Sequence, residues 1–187
     1  MVEVPKPGKV KGVNILALVK MLRKAGLERA TKLVPPAYQH YLTERILVSN
    51  RYPEIDHVEL LRAVYRLMPP KPEPWIVMGH RSAHTDLTGV YKVHLRPGDP
   101  MRTLQSAGAL WRNYHDSGEM TVSFPSQRSA LLELRKFVAP ARELCRINVG
   151  YFEEIVLMSG AREARCVERA CIVEGATECR WMIDWTT

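Results

Sequence analysis

Over roughly the first 118 residues of the chain, apolar residues return every third or fourth position, the period of a helix with one buried face. Ile15, Leu18, Val19 and Leu22 share such a face, with Lys20, Arg23 and Lys24 opposite, and Gly26 is placed to end the helix. Pro35-Pro36 breaks the chain, and Tyr38 to Val48 reads as a second helix. Asp56 is placed to cap a third helix running through Leu67, with Val58, Leu61, Val64 and Leu67 inward. The segment PPKPEP, residues 69–74, is a rigid connector. Trp75 to Leu95 is helical in pattern, and Pro97-Gly98-Asp99-Pro100 is a stop and turn. Asp99 then caps a helix that offers Met101, Leu104, Ala107, Leu110, Trp111 and Tyr114 for burial and ends at Ser117-Gly118.

Beyond Gly118 the period drops to two. Met120, Val122 and Phe124 alternate with Thr121 and Ser123, which predicts a strand. Ala130 to Phe137 reads as its partner after the Pro125-Ser126 turn, although its leucines also suit a helix. Ala139 to Met158 returns to helical spacing and stops at Gly160. Two further alternating runs, Ala164–Arg169 and Cys179–Trp185, flank a Glu174-Gly175 turn and predict a hairpin. Because the strands come as hairpins and not as βαβ units, the expected class is α+β with an antiparallel sheet. The organisation expected is a flexible lead-in over 1–11 and one domain over 12–187, whose helical half (12–117) packs on a sheet-and-long-helix half (118–187).

Composition narrows the function classes. With 187 residues, 46% hydrophobic and 25% charged, the chain is a folded domain and not a disordered tail. No apolar run is long enough to span a bilayer, and the N-terminus lacks the apolar core of a signal peptide, so a cytoplasmic protein is expected. Residues 1–34 carry six lysines and two arginines against two glutamates, which accounts for nearly all of the net charge of +7. Charge concentrated at one end, without interleaved aromatics, excludes a nucleic-acid groove as the expectation. It allows membrane contact through the basic N-terminus only. No G-x-S-x-G, P-loop or dinucleotide fingerprint occurs. His80-x3-His84 has metal spacing on a helix, but Arg81 stands where a metalloprotease has its glutamate. No enzyme is expected.

All four cysteines fall in the last 43 residues. The set Cys145-x22-Glu168-x2-Cys171-x7-Cys179 combines the first half of a helix with the two arms of a hairpin. Three thiolates and a carboxylate suit a closed, structural Zn²⁺ site, with Arg146, Arg165, Arg169 and Arg180 near in sequence to offset the negative charge. Glu168 and Cys171 have opposite parity along a strand, so the site requires a bulge between them. Cys166 shares the parity of Glu168 and competes with it, and buried reduced cysteines are the plain alternative.

The segments Cys145-Arg-Ile-Asn-Val-Gly150-Tyr151, Val167-Glu168-Arg-Ala-Cys171 and Glu174-Gly175-Ala-Thr-Glu-Cys179-Arg180 resemble the vinyl-reductase-type (V4R) small-molecule-binding domain. The resemblance implies zinc ligands at Cys145, Glu168, Cys171 and Cys179, and none at Cys166. The wider fold is similar to haem-nitric-oxide/oxygen sensor domains and to vesicle-tethering TRAPP subunits, a ligand-binding-domain fold of NO signalling and Golgi transport type. Phe124-Pro-Ser126-Gln-Arg128 resembles the Y-x-S-x-R propionate-binding motif of the haem sensors, with Phe124 in place of the tyrosine and His94 lying 30 residues upstream. The size also matches stand-alone myxobacterial proteins of about 200 residues.

The function expected from these features is a non-catalytic sensory domain with a structural zinc site. It would bind a small hydrophobic or aromatic ligand and signal through a protein partner, and it could pair as a homodimer. Candidate lining residues are Trp75, Met78, His80, His84, Tyr91, Trp111, Tyr114 and His115. The alternatives are a haem-based gas sensor, with His94 or His115 as axial ligand, and a TRAPP-like scaffold without a diffusible ligand.

Overall fold

Helix α1 (Gly12–Lys24) forms where the periodicity places it and buries Ile15, Leu18, Val19 and Leu22. It belongs to a computed structural model that describes residues 7–68, 73–89 and 91–187. The chain divides into two compact units, one of Met1–Pro74 with Asn113–Ser117, the other of Trp75–Arg112 with Gly118–Thr187. These differ from the halves expected from sequence, because Trp75–Arg112 groups with the sheet.

In the first unit α1 packs against α3 (Glu54–Tyr65), whose Val58, Leu60, Leu61, Ala63 and Val64 are buried. Each such valine or leucine contributes about 1.5–3 kcal/mol of burial. A short helix α2 (Leu27–Leu33) follows Gly26. The helix expected over 38–48 is instead a 3-10 segment, Pro36–Leu42. Arg23 supplies the reason. Its guanidinium donates to the carbonyls of Leu42 (2.9 Å), Tyr41 (3.0 Å) and Glu44 (2.6 Å), acceptors that a continuing helix would have used itself. Asp56 does not cap α3, which begins at Glu54 after Pro53. Its carboxylate accepts from the Tyr41 hydroxyl at 2.5 Å.

Part of the expected lead-in forms a strand. Strand β1 (Lys9–Lys11) pairs antiparallel with β2 (Arg51–Pro53), with Val10 opposite Tyr52, and Val10 is wholly buried. Val10 also bridges to His115, and the Lys9 amide donates to Asp116 at 2.5 Å. Residues 1–6, and 69–72 of the expected connector, lie outside the described residues.

The second unit holds α4 (Pro74–Thr88), α5 (Pro100–Leu104), most of α6 (Ala107–Tyr114), α7 (Arg142–Met158) and one sheet. Asp99 caps α5 as expected, accepting the Arg102 N–H at 2.9 Å. The sheet comprises β3 (Glu119–Ser126), β4 (Ser129–Arg135), β5 (Glu163–Ala170) and β6 (Cys179–Thr186), all antiparallel in the order β3-β4-β6-β5. The ambiguous leucine run is a strand because alternation buries it: Ala130, Leu132 and Leu134 stand opposite Ile183, Trp181 and Cys179, and all six are buried. Helix α7 covers this sheet, with Phe152 edge-on to Trp181 at 5.5 Å and the indole N–H of Trp181 donating to the Cys145 carbonyl at 3.1 Å. The fold is α+β.

Candidate functional site

The beginning of α7, the end of β5 and the start of β6 bring three thiols together. The Cys145 sulfur lies 3.6 Å from those of both Cys171 and Cys179, and all three residues are buried. The three donors fall within 4.8 Å of one another, a spacing at which they could share one metal ion. Local geometry explains the convergence. The register of β5 against β6 slips between Glu168 and Ala170, the bulge that parity requires. A 3-10 turn, Ile172–Glu174, then closes on Gly175, whose φ of 92° suits glycine. The Ile172 N–H donates to the Cys179 sulfur at 3.4 Å.

Electrostatics separate the thiols. The hydrogen bond that Cys145 makes with Cys179, together with burial, pushes the Cys145 thiol far above the usual range. That same bond, with the Ile172 N–H, holds Cys179 below it, at about 7. The shared hydrogen bond thus favours a thiolate at Cys179 over one at Cys145. Glu168 stands beside them as a half-used carboxylate. One oxygen accepts from Arg142, and the other, Oε1, is buried with no hydrogen-bond partner among the described residues. Cys166 stays apart: it is buried in β5 opposite Ile183, and burial first, then Glu153, raises its thiol.

A second polar cluster joins α4 to α7. His80 lies between two carboxylates, Nδ1 at 3.0 Å from Glu154 and Nε2 at 3.1 Å from Glu153. His84 Nδ1 is 3.3 Å from the other oxygen of Glu154. Tyr151 donates to Asp86 at 3.0 Å. The sequence offered His80 and His84 by their spacing but not their partners, and the adjacent pair Glu153-Glu154 was the signal available.

The expected lining residues are spread over both units. Trp75, Met78 and the two histidines lie on α4, and Tyr91 is buried beyond it. Trp111 packs edge-on to Phe137 at 5.1 Å in the second unit. Tyr114 and His115 belong to the first, where His115 Nδ1 donates to Glu54 at 2.9 Å and both partners are buried. Near them His57 is buried, with Nδ1 unpartnered among the described residues, a feature that leaves no mark in the periodicity or motifs of the chain. Desolvation, then the neighbouring His115, lowers its pKa to about 3.

Of the residues that the haem-sensor resemblance singles out, His94, Ser126 and Arg128 are polar and Phe124 is not. His94 is half-buried on a 3-10 turn, and its ring nitrogens make no hydrogen bond among the described residues. Ser126 and Arg128 sit at the β3–β4 turn, the serine hydroxyl accepting the Arg128 N–H at 3.1 Å. The Arg128 guanidinium is exposed and unpaired among the described residues. Phe124 supplies no donor.

No family model matches the chain, and no curated protein matches it. Solved structures do. An unliganded Fe(II) H-NOX protein from K. algicida matches with a TM-score of 0.66 at 12% identity, over 95% of this chain and 97% of that one. An S. oneidensis H-NOX protein in the Fe(II)NO state gives 0.64 at 14%, over 95% and 99%. An oxygen-binding H-NOX domain related to soluble guanylate cyclases gives 0.66 at 10%, over 95% of each. Zinc, the metal expected from sequence, is corrected by these likenesses: the structures that share the fold are described by Fe(II) and haem. The geometry agrees with the correction, since Glu168, the fourth ligand of a tetrahedral zinc site, is not drawn into the thiol group and gives one oxygen to Arg142. The chain has the fold of the H-NOX domains.

Proposed function

We propose that this chain is a non-enzymatic sensory domain that holds a haem, reads a small gas ligand and passes its state on through protein contact. The observation that carries this reading is the likeness along 95% of the chain to H-NOX structures with Fe(II), NO and oxygen. Ligand binding is also what the vinyl-reductase-type resemblance implies, so the two resemblances agree at that level. Haem would supply the iron that binds the gas. Of this chain's residues, His94 offers an imidazole with uncommitted nitrogens for the axial position. Arg128 offers an unpaired guanidinium, and Ser126 a hydroxyl, for the propionates.

The test is the visible absorption spectrum of the chain after haem loading, with elemental analysis of the same sample. One haem per chain, lost in His94→Gly and restored to that variant by imidazole, is the expected result. A chain that takes up no stoichiometric haem would sink the reading. Stabilisation by a panel of hydrophobic compounds would then favour the small apolar ligand instead.

The thiol group supports a second reading. Cys145, Cys171 and Cys179, whose donor atoms lie within 4.8 Å of one another, could share one thiophilic metal ion. Elemental analysis would then report metal in excess of haem iron, lost in Cys171→Ser. A metal content equal to haem iron alone would remove this reading.

A further inference from the structure

We propose that His80, His84 and Glu154 bind a first-row divalent transition ion between α4 and α7, with Glu153 as the positioning residue behind His80. The argument begins with the two nitrogens of His80. Each faces a carboxylate oxygen, Nε2 toward Glu153 at 3.1 Å and Nδ1 toward Glu154 at 3.0 Å. A neutral imidazole has one N–H and one lone pair. If Nε2 donates to Glu153, Nδ1 points a lone pair at an anion, and the arrangement is stable only with a cation between them. That cation is either a proton or a metal ion.

His84 favours the metal. It lies one helical turn from His80, and its Nδ1 approaches the second oxygen of the same Glu154 carboxylate at 3.3 Å. Two imidazoles at i and i+4 on one helix, facing a carboxylate from the next, are a donor set that suits first-row divalent ions. Glu153 supplies the support behind a ligand. One of its oxygens faces His80 Nε2, and the other accepts the Cys166 N–H of β5 at 2.8 Å. A ligating histidine held from behind by a carboxylate is how proteins fix ring orientation at a metal.

The backbone under the site is fixed as well. At the crossing of α4 and α7 a Cβ on Gly79 would lie 2.0 Å from the Ile147 carbonyl oxygen, and one on Gly150 2.0 Å from that of Ile76. The side chains have room to adjust. His84 is 63% exposed, whereas Glu153 and Glu154 are only 17% and 20% exposed. His84 can therefore swing onto an ion held by Glu154 and His80, with water filling the open positions.

The experiment is a Co²⁺ titration of the full chain at about pH 7.5, followed by calorimetry and by the imidazole NMR signals of His80 and His84. Thiolate-bound Co²⁺ is told apart by its intense sulfur-to-metal absorption, which imidazole and carboxylate ligands do not give. The expected result is a Co²⁺ that broadens both imidazole signals and is released by a chelator. His84→Ala and Glu154→Gln should abolish that event while leaving any thiolate-bound Co²⁺ in place. Glu153→Gln should weaken it about 10- to 100-fold. His84 is exposed, so its variant folds whatever the site does. Unperturbed imidazole signals, or equal Co²⁺ affinity in wild type and His84→Ala, would overturn the proposal and leave a proton-bridged ion pair.

Discussion

His57 shows how a single buried ring sets the response to acid. It is held in the first unit with Nδ1 unpartnered, and its folded pKa of about 3 lies below the ordinary 6.5. The folded chain therefore keeps His57 neutral while the unfolded chain takes up a proton below pH 6.5. In that window the unfolded state binds more protons, so stability falls as pH falls. The loss is about 1.4 kcal/mol per pH unit, near 2 kcal/mol between pH 6.5 and pH 5, and it ceases below about pH 3. Above pH 6.5 both states are neutral and the contribution is flat. His57→Phe removes the titrating group, so the difference between the urea-unfolding free energies at pH 7 and pH 5, followed by far-UV circular dichroism, should shrink by that amount. An unchanged difference would place the acid sensitivity in other groups.

At the scale of elements, the crossing of α4 and α7 sets two opposed effects against each other. Replacing a helical glycine by alanine ordinarily gains about 0.5–1 kcal/mol of helix propensity. At Gly150 the added carbon would lie 2.0 Å from a backbone carbonyl oxygen, and overpacking of that kind costs about 1–3 kcal/mol or more. Packing wins, so Gly150→Ala should destabilise the chain by at least about 1 kcal/mol in urea unfolding. A stabilised variant would mean that the helices part without cost. The same contrast marks what the sequence could reveal. Helices with one apolar face and strands with strict alternation were legible, because burial on one side writes a period into the chain. The bulge after Glu168 was legible from parity. The 3-10 segment after Pro35 was not, because it depends on Arg23 taking carbonyls 18 to 21 residues away. Nor were β1 and β2, three-residue strands too short to show a period. The thiol group was legible as a cluster in sequence. The clamp of Glu153 and Glu154 on His80 was not, since it exists only where two glycines let the helices touch.

At the scale of the whole molecule, the chemistry is divided between the two units in a way that can be read by spectroscopy. All four tryptophans, Trp75, Trp111, Trp181 and Trp185, belong to the second unit, as do His94, Ser126 and Arg128. His57, Glu54 and His115 belong to the first. A ligand that binds only the folded state stabilises it by mass action, by about 2.7 kcal/mol at a hundredfold excess over its Kd. For a chain of this length that is a rise in Tm of about 5–10 °C. If haem is held by His94 and Arg128, the thermal transition seen by tryptophan fluorescence should rise by that amount. In His94→Gly it should rise much less. Haem that merely adheres to apolar surface has no such requirement for His94, and an equal shift in the variant would assign the binding to adhesion. Acidification to pH 5 should act the other way round. Its His57-dependent part should appear in the hydrogen exchange of first-unit amides more than in tryptophan fluorescence, because the titrating ring and the tryptophans belong to different units.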